Sequence, residues 1–464
     1  FPSGVINALA PGLADVGLQI GAGLGGLGLT MLGLAAVGFV PGRAGWVAVV
    51  GAATWLIWRG RGNLPWRERL KFEVWSLKFG DWLLAAFCAL SLGAALIRTL
   101  APPTAWDGLV YHLTGPKLIG AAGRIAHEVD LPYLGFPQWG EMLFLWGSGL
   151  SGETTPALIH WLFAPLTLSL LPELAGRCGV RRAWLAAALL LATPTALLLA
   201  GWPYVEWMLM FAVTASTLLV LRWQENGAEP GGWKTLALAG AFAGLALSAK
   251  YTAAGAVAGL ALAVAIQRTG DRGPGTEDGD RRSSVPGPRS PVPGLRDFGF
   301  WLLCAALVFA PWLIKNALLT GNPVYPFFFL GKFWDAARAY WFGRGGTGLT
   351  IVQLLLAPWE MTVSGVEGAG GFGTTPGYGA TLGPLWLILL PALAIGWRAR
   401  PAVARRALGT LLIVCGTAYA VWLAQAGWSA LLVQSRLLLG IFPLLAVLAA
   451  AAFDGLAELD TPRL

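Results

Sequence analysis

Apolar runs of about 17–25 residues recur along almost the whole chain, and no other feature restricts its folding as much. In a bilayer each backbone N–H and C=O must be satisfied within its own segment, so such runs become transmembrane helices. They fall at 16–40, 44–58, 80–99, 155–173, 183–201, 204–222, 235–249, 251–267, 298–318, 381–397, 407–425 and 433–453, twelve in all. A transmembrane barrel would instead show ~10-residue alternating segments, and none is visible. The expected class is an all-α polytopic membrane protein. Composition agrees: only 12% of the residues are charged and 56% are hydrophobic, where water-soluble domains carry about 25% charged residues.

Charge placement orients the spans. The segments 58–72, 176–183, 268–297 and 398–406 are strongly basic. Twelve spans with a cytoplasmic N-terminus put all four on one side, with about two thirds of the lysines and arginines, as the positive-inside rule requires. Both termini are then cytoplasmic and the protein is expected in the plasma membrane. The net charge of +8 follows from this topology and is not a nucleic-acid footprint. No basic region precedes the first run, so it reads as a span and not as a signal peptide. The four cysteines (Cys88, Cys178, Cys304, Cys415) show no CxxC spacing and no disulfide framework.

Four regions are expected. Residues 1–79 hold two spans and a basic loop. Residues 80–267 form a core with an external loop at 100–154. The Gly-, Pro- and Ser-rich segment 268–297 cannot bury a core and reads as a disordered cytoplasmic linker. Residues 298–464 carry the remaining spans and an external loop at 319–380. The stretch 139–150, "WGEMLFLWGSGL", is too short and polar for a span and reads as an interfacial helix or one packed in an external domain.

Charged groups near span centres or ends are expensive and therefore functional candidates. The topology brings Asp107, His160, Glu206, Lys250, Lys315 and Arg436 to the external face, while the cytoplasmic ends carry plain arginine clusters. Each lysine or arginine alone reads equally well as a snorkelling residue. Asp107, in "TAWDG", also reads as a helix cap or Asx-turn. As a set they describe a polar external cavity. Cations beside apolar helices suit an amphiphile with an anionic head. A carboxylate among them would take the proton of an attacking hydroxyl. Transfer of a sugar from a lipid phosphate needs both functions.

The ordered stretches "WDGLVYHLTGPKLIGAAGRI", "FPQWGEMLFLW", "GWPYVEWMLMFAVTAS", "LALSAKYTA", "PWLIKNALLTGNPVYPFF" and "SRLLLGIFPLLAVLAA" resemble the GT-C superfamily of integral-membrane glycosyltransferases. The resemblance is to members related to protein O-mannosyltransferases and the lipid A aminoarabinose transferase, and it covers roughly 80–455. It implies a polyprenyl-phosphate sugar donor, an external site, and an acceptor that is a protein, lipid or glycan. It further implies Asp107 as catalytic base or acceptor-orienting group and Lys250, Lys315 and Arg436 as ligands of the donor phosphate. The first two spans look like an N-terminal addition. Gly108 follows Asp107 where members often have Glu, Glu206 stands where Asp is frequent, and Leu437 follows Arg436 where Tyr is common.

Around this set the pocket is expected to include Tyr111, His112, Glu141, His160, Glu206, Tyr251 and Asn316. Tyr111, at i+4 from Asp107, would share its helix face, whereas His112 would point elsewhere. Glu128, Asp130 and Glu141 offer oxygen ligands, but no paired acidic or HExxH motif is present, so neither a metal nor a cofactor is expected. The Gly-rich stretch 361–383 reads as a loose loop or as a lid. Most tryptophans are belt residues, with Trp106 and Trp139 candidates for stacking on sugar. The rival readings are a transporter or flippase for a lipid-linked or amphiphilic anion, and an inactive GT-C relative within a membrane complex.

Overall fold

The computed structural model describes residues 6–42, 45, 47, 79–226, 230–266, 293–343, 349–364, 383–429 and 432–459. Almost every element is helical. The first long helix is α1 (Ile6–Ala36), followed by α2 (Phe79–Thr99). The first loop carries α3 (Thr114–Ala122) and α4 (Trp139–Ser151). Then come α5 (Thr155–Arg177), α6 (Ala183–Leu191), α7 (Pro194–Ala200), α8 (Glu206–Asn226), α9 (Gly232–Ala249) and α10 (Ala254–Ile266). The C-terminal part comprises α11 (Pro293–Thr320), α12 (Ala336–Gly343), α13 (Ile351–Ser364), α14 (Pro384–Ala392), α15 (Ala402–Trp428) and α16 (Phe442–Leu459).

At least seven helices are long and apolar enough to cross a membrane: Gly12–Ala36, Gly80–Thr99, Thr155–Arg177, Glu206–Asn226, Leu295–Thr320, Ala402–Trp428 and Ser435–Ala457. The difference from twelve has local causes. The run 183–201 is broken at Thr193–Pro194, where Thr193 is extended and Pro194 starts the short α7, because proline cannot continue the preceding helix. The run 381–397 yields only the nine residues of α14. The run 44–58, apart from 45 and 47, and the segments 268–292 and 365–382 lie outside the described residues. Residues 293–297, read as the end of the linker, are helical and start α11.

The centre of the bundle is α8, whose apolar window is 94% buried. It packs on α5, α9 and the 3-10 turn Ser435–Ile441. Two glycine pairs bring helices into backbone contact, the usual device where no hydrophobic effect separates helix from lipid. A Cβ on Gly240 or Gly244 would stand 2.5 or 2.4 Å from the carbonyl oxygens of Trp301 and Ala305 on α11. A Cβ on Gly255 or Gly259 would meet the α15 backbone at 2.8 or 2.6 Å. Helix α1 is built into this core and not appended to it, packing on α4 and α5. Helix α4 is likewise a packed helix, with Trp139–Leu145 buried.

The bundle has two chemically distinct ends. At one, Glu173 accepts from Arg177 and Arg222 at 2.8 Å each, and Arg222 reaches Asp15 at 2.7 Å. The Arg181 amide donates to Asp454 at the same end. Helices α5 and α8 run from here to the opposite end, which holds Asp107, His160, Glu206, Lys250 and Arg436.

Candidate active site

The site is built where four chain breaks meet. The first follows α2. After Trp106 the chain forms a π-turn, Gly108–His112, closed by Leu113 N–H donating to the Gly108 carbonyl at 2.9 Å. Such turns insert one extra residue into a helix and re-aim its side chains. Tyr111 keeps the expected relation to Asp107, donating its hydroxyl to Oδ2 at 3.1 Å. His112, expected to face elsewhere, is carried by the widened turn against Tyr111, with ring centroids 4.2 Å apart. It bonds Glu141 through Nδ1 at 2.6 Å. Both partners are buried, and among the described residues Nε2 of His112 and Oε2 of Glu141 have no hydrogen-bond partner.

The second break is the turn between α7 and α8. His160 on α5 ties it down: Nδ1 donates to the Trp202 carbonyl at 2.7 Å, and Nε2 accepts the Trp207 amide at 3.0 Å. These bonds make His160 a structural residue that holds the turn. The turn in turn sets Glu206 as the first residue of α8, with Oε2 accepting from the Val205 amide at 3.1 Å. The third break, between α9 and α10, leaves Lys250 extended. Its ammonium donates to Glu206 Oε1 at 2.7 Å.

The fourth break precedes α16. Arg436 donates through Nη1 to Asp107 Oδ2 at 2.6 Å and through Nε to Gln434 at 2.6 Å. Its guanidinium lies 6.0 Å from the Tyr204 ring centre. Asp107 and Glu206 both lie within Coulombic reach of Tyr111, and Arg436 and His112 lie within reach of Glu206. Asp107, Glu206, Lys250 and Arg436 therefore form one cluster of two ion pairs, joined through Tyr111 and Tyr204. Burial, then the charges of Asp107 and Glu206, push the Tyr111 hydroxyl well above its usual range, so it remains a donor. The Tyr111 hydroxyl and Arg436 Nη1 both donate to Oδ2 of Asp107.

Lys315 stands apart from this cluster. Its ammonium, buried within the end of α11, donates to the carbonyls of Leu134 and Phe136 at 2.9 and 2.8 Å and to Gln138 Oε1 at 2.9 Å. All three N–H groups are occupied by the loop 132–138. That geometry makes Lys315 a clamp rather than a phosphate ligand. The clamped loop presents Tyr133, which stacks on Tyr111 at 4.5 Å. Tyr251 and Asn316 bond each other at 3.1 Å and support this loop through the Tyr251–Phe136 edge contact at 6.1 Å. Trp139, a candidate sugar platform, is fully buried and donates toward the Leu24 carbonyl at 3.4 Å. It is packing. Trp106 is 65% exposed.

Gly108 has a defined reason. A Cβ there would stand 3.0 Å from Pro203 Cγ and 3.6 Å from Tyr204. The volume that a larger residue after Asp107 would need is filled by the 201–205 turn. Sequence reasoning missed Tyr133, Tyr204, Gln138 and Gln434. Tyr204 and Gln434 each lie two positions before a flagged charge, Glu206 and Arg436; nothing local marks Tyr133 or Gln138. Of the acids considered as oxygen ligands, Asp130 is an exposed partner of Arg338 at 2.6 Å, and Glu128 pairs with Arg124 at 3.2 Å. Among the described residues no three His, Cys, Asp or Glu gather. An open depression lined by Leu390–Ala399 and Leu412 lies at the arginine end, away from this cluster.

Comparison with known proteins agrees with this architecture. Residues 144–275 match the family described as PMT, dolichyl-phosphate-mannose-protein mannosyltransferase. The fold is similar to the crystal structure of ArnT from Cupriavidus metallidurans in the apo state, with a TM-score of 0.51 and 17% identity. The alignment covers 81% of this chain and 60% of that one, so the chain spans less than two thirds of that structure. No curated protein matches in sequence. The chain is a multi-pass, all-α membrane protein with a GT-C-like fold. Its segment 144–275 is similar to the PMT family, and its fold is similar to that of ArnT.

Proposed function

We propose that this protein transfers a sugar from a polyprenyl-phosphate-linked donor to an acceptor at the Asp107 end of the bundle, which the positive-inside rule makes the external face. The observation that carries the reading is the meeting of two ion pairs with buried carboxylates and part-buried cations, Asp107–Arg436 and Glu206–Lys250, drawn from four separate chain breaks. Four charges are not collected there for stability, since buried pairs return little against their desolvation.

The pairing also supports a sequence of events. The donor phosphate draws Arg436, and one free N–H direction of Lys250, toward itself. Arg436 leaving Asp107 strips that carboxylate of its cation and makes it a better base. The acceptor hydroxyl then attacks the anomeric carbon. The new C–O bond forms as the bond to the phosphate oxygen breaks, inverting the carbon. The hydroxyl proton passes to the Asp107 carboxylate, and the bonding electron pair leaves on the lipid phosphate, where the cations hold it. Tyr111 fixes the carboxylate through Oδ2.

The test is sugar transfer in proteoliposomes supplied with radiolabelled polyprenyl-phosphate sugars and a membrane extract as acceptor source. Transfer is expected, and Asp107→Asn should reduce it by about 10²–10⁴-fold, the span of a lost general base. Undiminished transfer would remove Asp107 from the mechanism. Donor binding without transfer in the unsubstituted protein would favour the inactive relative, for which the closed ion pairs are the supporting observation. Donor movement between leaflets without transfer would favour the flippase.

A further inference from the structure

Directly after α11 the chain makes a tight turn, 321–334, whose tip is "FFFL", Phe327–Leu330. The fully buried Asn322 builds it. Its Nδ2 donates to the carbonyls of Phe327 and Phe329 at 3.1 and 2.8 Å, and its Oδ1 accepts the Val324 amide at 3.0 Å. The Lys332 amide returns to the carbonyl of Thr320, the last residue of α11, at 2.9 Å. The tip is therefore rigid and held against the end of a membrane-crossing helix.

What this frame holds up is apolar and unprotected. Phe328 is 91% exposed, Phe329 60% and Leu330 58%. Phe328 moreover has φ +63°, a left-handed conformation that bulky residues rarely adopt and that persists only when its surroundings impose it. Helix α11 exposes Leu303, Leu307, Ile314 and Leu318 along one face, Leu318 by 80%. On a membrane-crossing helix that face meets lipid, and the stripe leads to the helix end at which the tip is tied.

We propose that Phe328, Phe329 and Leu330 form an apolar foot that seats in the lipid leaflet on the Asp107 side. Continuity with the lipid face of α11 names the partner, and Lys332, two residues on, suits a phosphate headgroup at that depth. The foot sets the height of the segment above it, because Tyr325 packs edge-on against His127 at 5.8 Å and Arg338 clasps Asp130 with two bonds. The proposal concerns membrane seating and is independent of glycosyl transfer.

The test uses the full chain carrying Phe328→Cys, labelled in detergent with an environment-sensitive fluorophore and then reconstituted in phosphatidylcholine vesicles. Glu128→Cys, on the exposed Arg124–Glu128 pair, serves as the aqueous control and the unsubstituted protein as the labelling blank. At 328 the emission should shift to the blue, lose intensity to nitroxides placed on the acyl chains and resist aqueous iodide. The label at 128 should behave in the opposite way. Iodide quenching at 328 equal to that at 128 would overturn the foot. Protection from both quenchers that disappears as protein is diluted in lipid would also overturn it, assigning the patch to a second copy of the chain.

Discussion

Replacing Lys315 by methionine separates two roles for that side chain. The substitution keeps the volume and removes the ammonium. It leaves the Leu134 and Phe136 carbonyls and the Gln138 amide oxygen without their donor. An unsatisfied buried acceptor costs about 1–3 kcal/mol, so three amount to roughly 6 kcal/mol. The ammonium's own desolvation, relieved in the variant, offsets several kcal/mol of this. The net is about 3 kcal/mol, confined to the loop 132–138, which corresponds to roughly a hundredfold in local opening. The readout is hydrogen exchange followed by mass spectrometry. The amides of Leu134 and Phe136, bonded within this loop to the carbonyls of Leu131 and Tyr133, should exchange about a hundredfold faster, while helix α8 stays protected. Tyr133 would lose its fixed stack on Tyr111, so transfer should fall through turnover more than through donor affinity. Unchanged exchange at Leu134 and Phe136 together with weakened donor binding would refute the clamp and restore Lys315 as a phosphate ligand.

Lys250→Met leaves Glu206, 1% exposed, without its cation and should cost about 3–5 kcal/mol; adding Glu206→Gln should recover much of that in a double-mutant cycle of thermal unfolding. Gly108→Glu should lower stability by about 1–3 kcal/mol through overpacking against Pro203 and Tyr204, read as a reduced melting temperature, and should not raise activity. His127 is held neutral by burial, its value lowered from 6.5 to about 4. The unfolded chain therefore takes up this proton first as pH falls, so the contribution is complete above about pH 6.5 and lost progressively toward pH 4. Melting curves from pH 7 to 4.5 should steepen across that window, and His127→Phe should flatten this part of the profile.

Much of this protein could be read along the chain. Apolar length alone implies membrane helices, since a backbone in hydrocarbon has no other way to satisfy its polar groups. The rarity of charge made Asp107, Glu206, Lys250 and Arg436 conspicuous, and they do meet. Of the basic segments, Arg177, Arg181 and Arg400 lie at the other end, where Arg177 and Arg181 meet carboxylates that no basic loop announced. Tertiary structure decided which polar groups answer one another. Lys315 and Lys250 look alike in sequence, each a lone lysine at a span end. One is occupied by three loop oxygens contributed by residues nearly 180 positions away; the other faces a single glutamate. His112 was placed by a π-turn that no local pattern announces, because one extra residue per turn is a matter of packing. Residue type and spacing determine what a side chain can do; only the folded chain determines which of its partners are already in place.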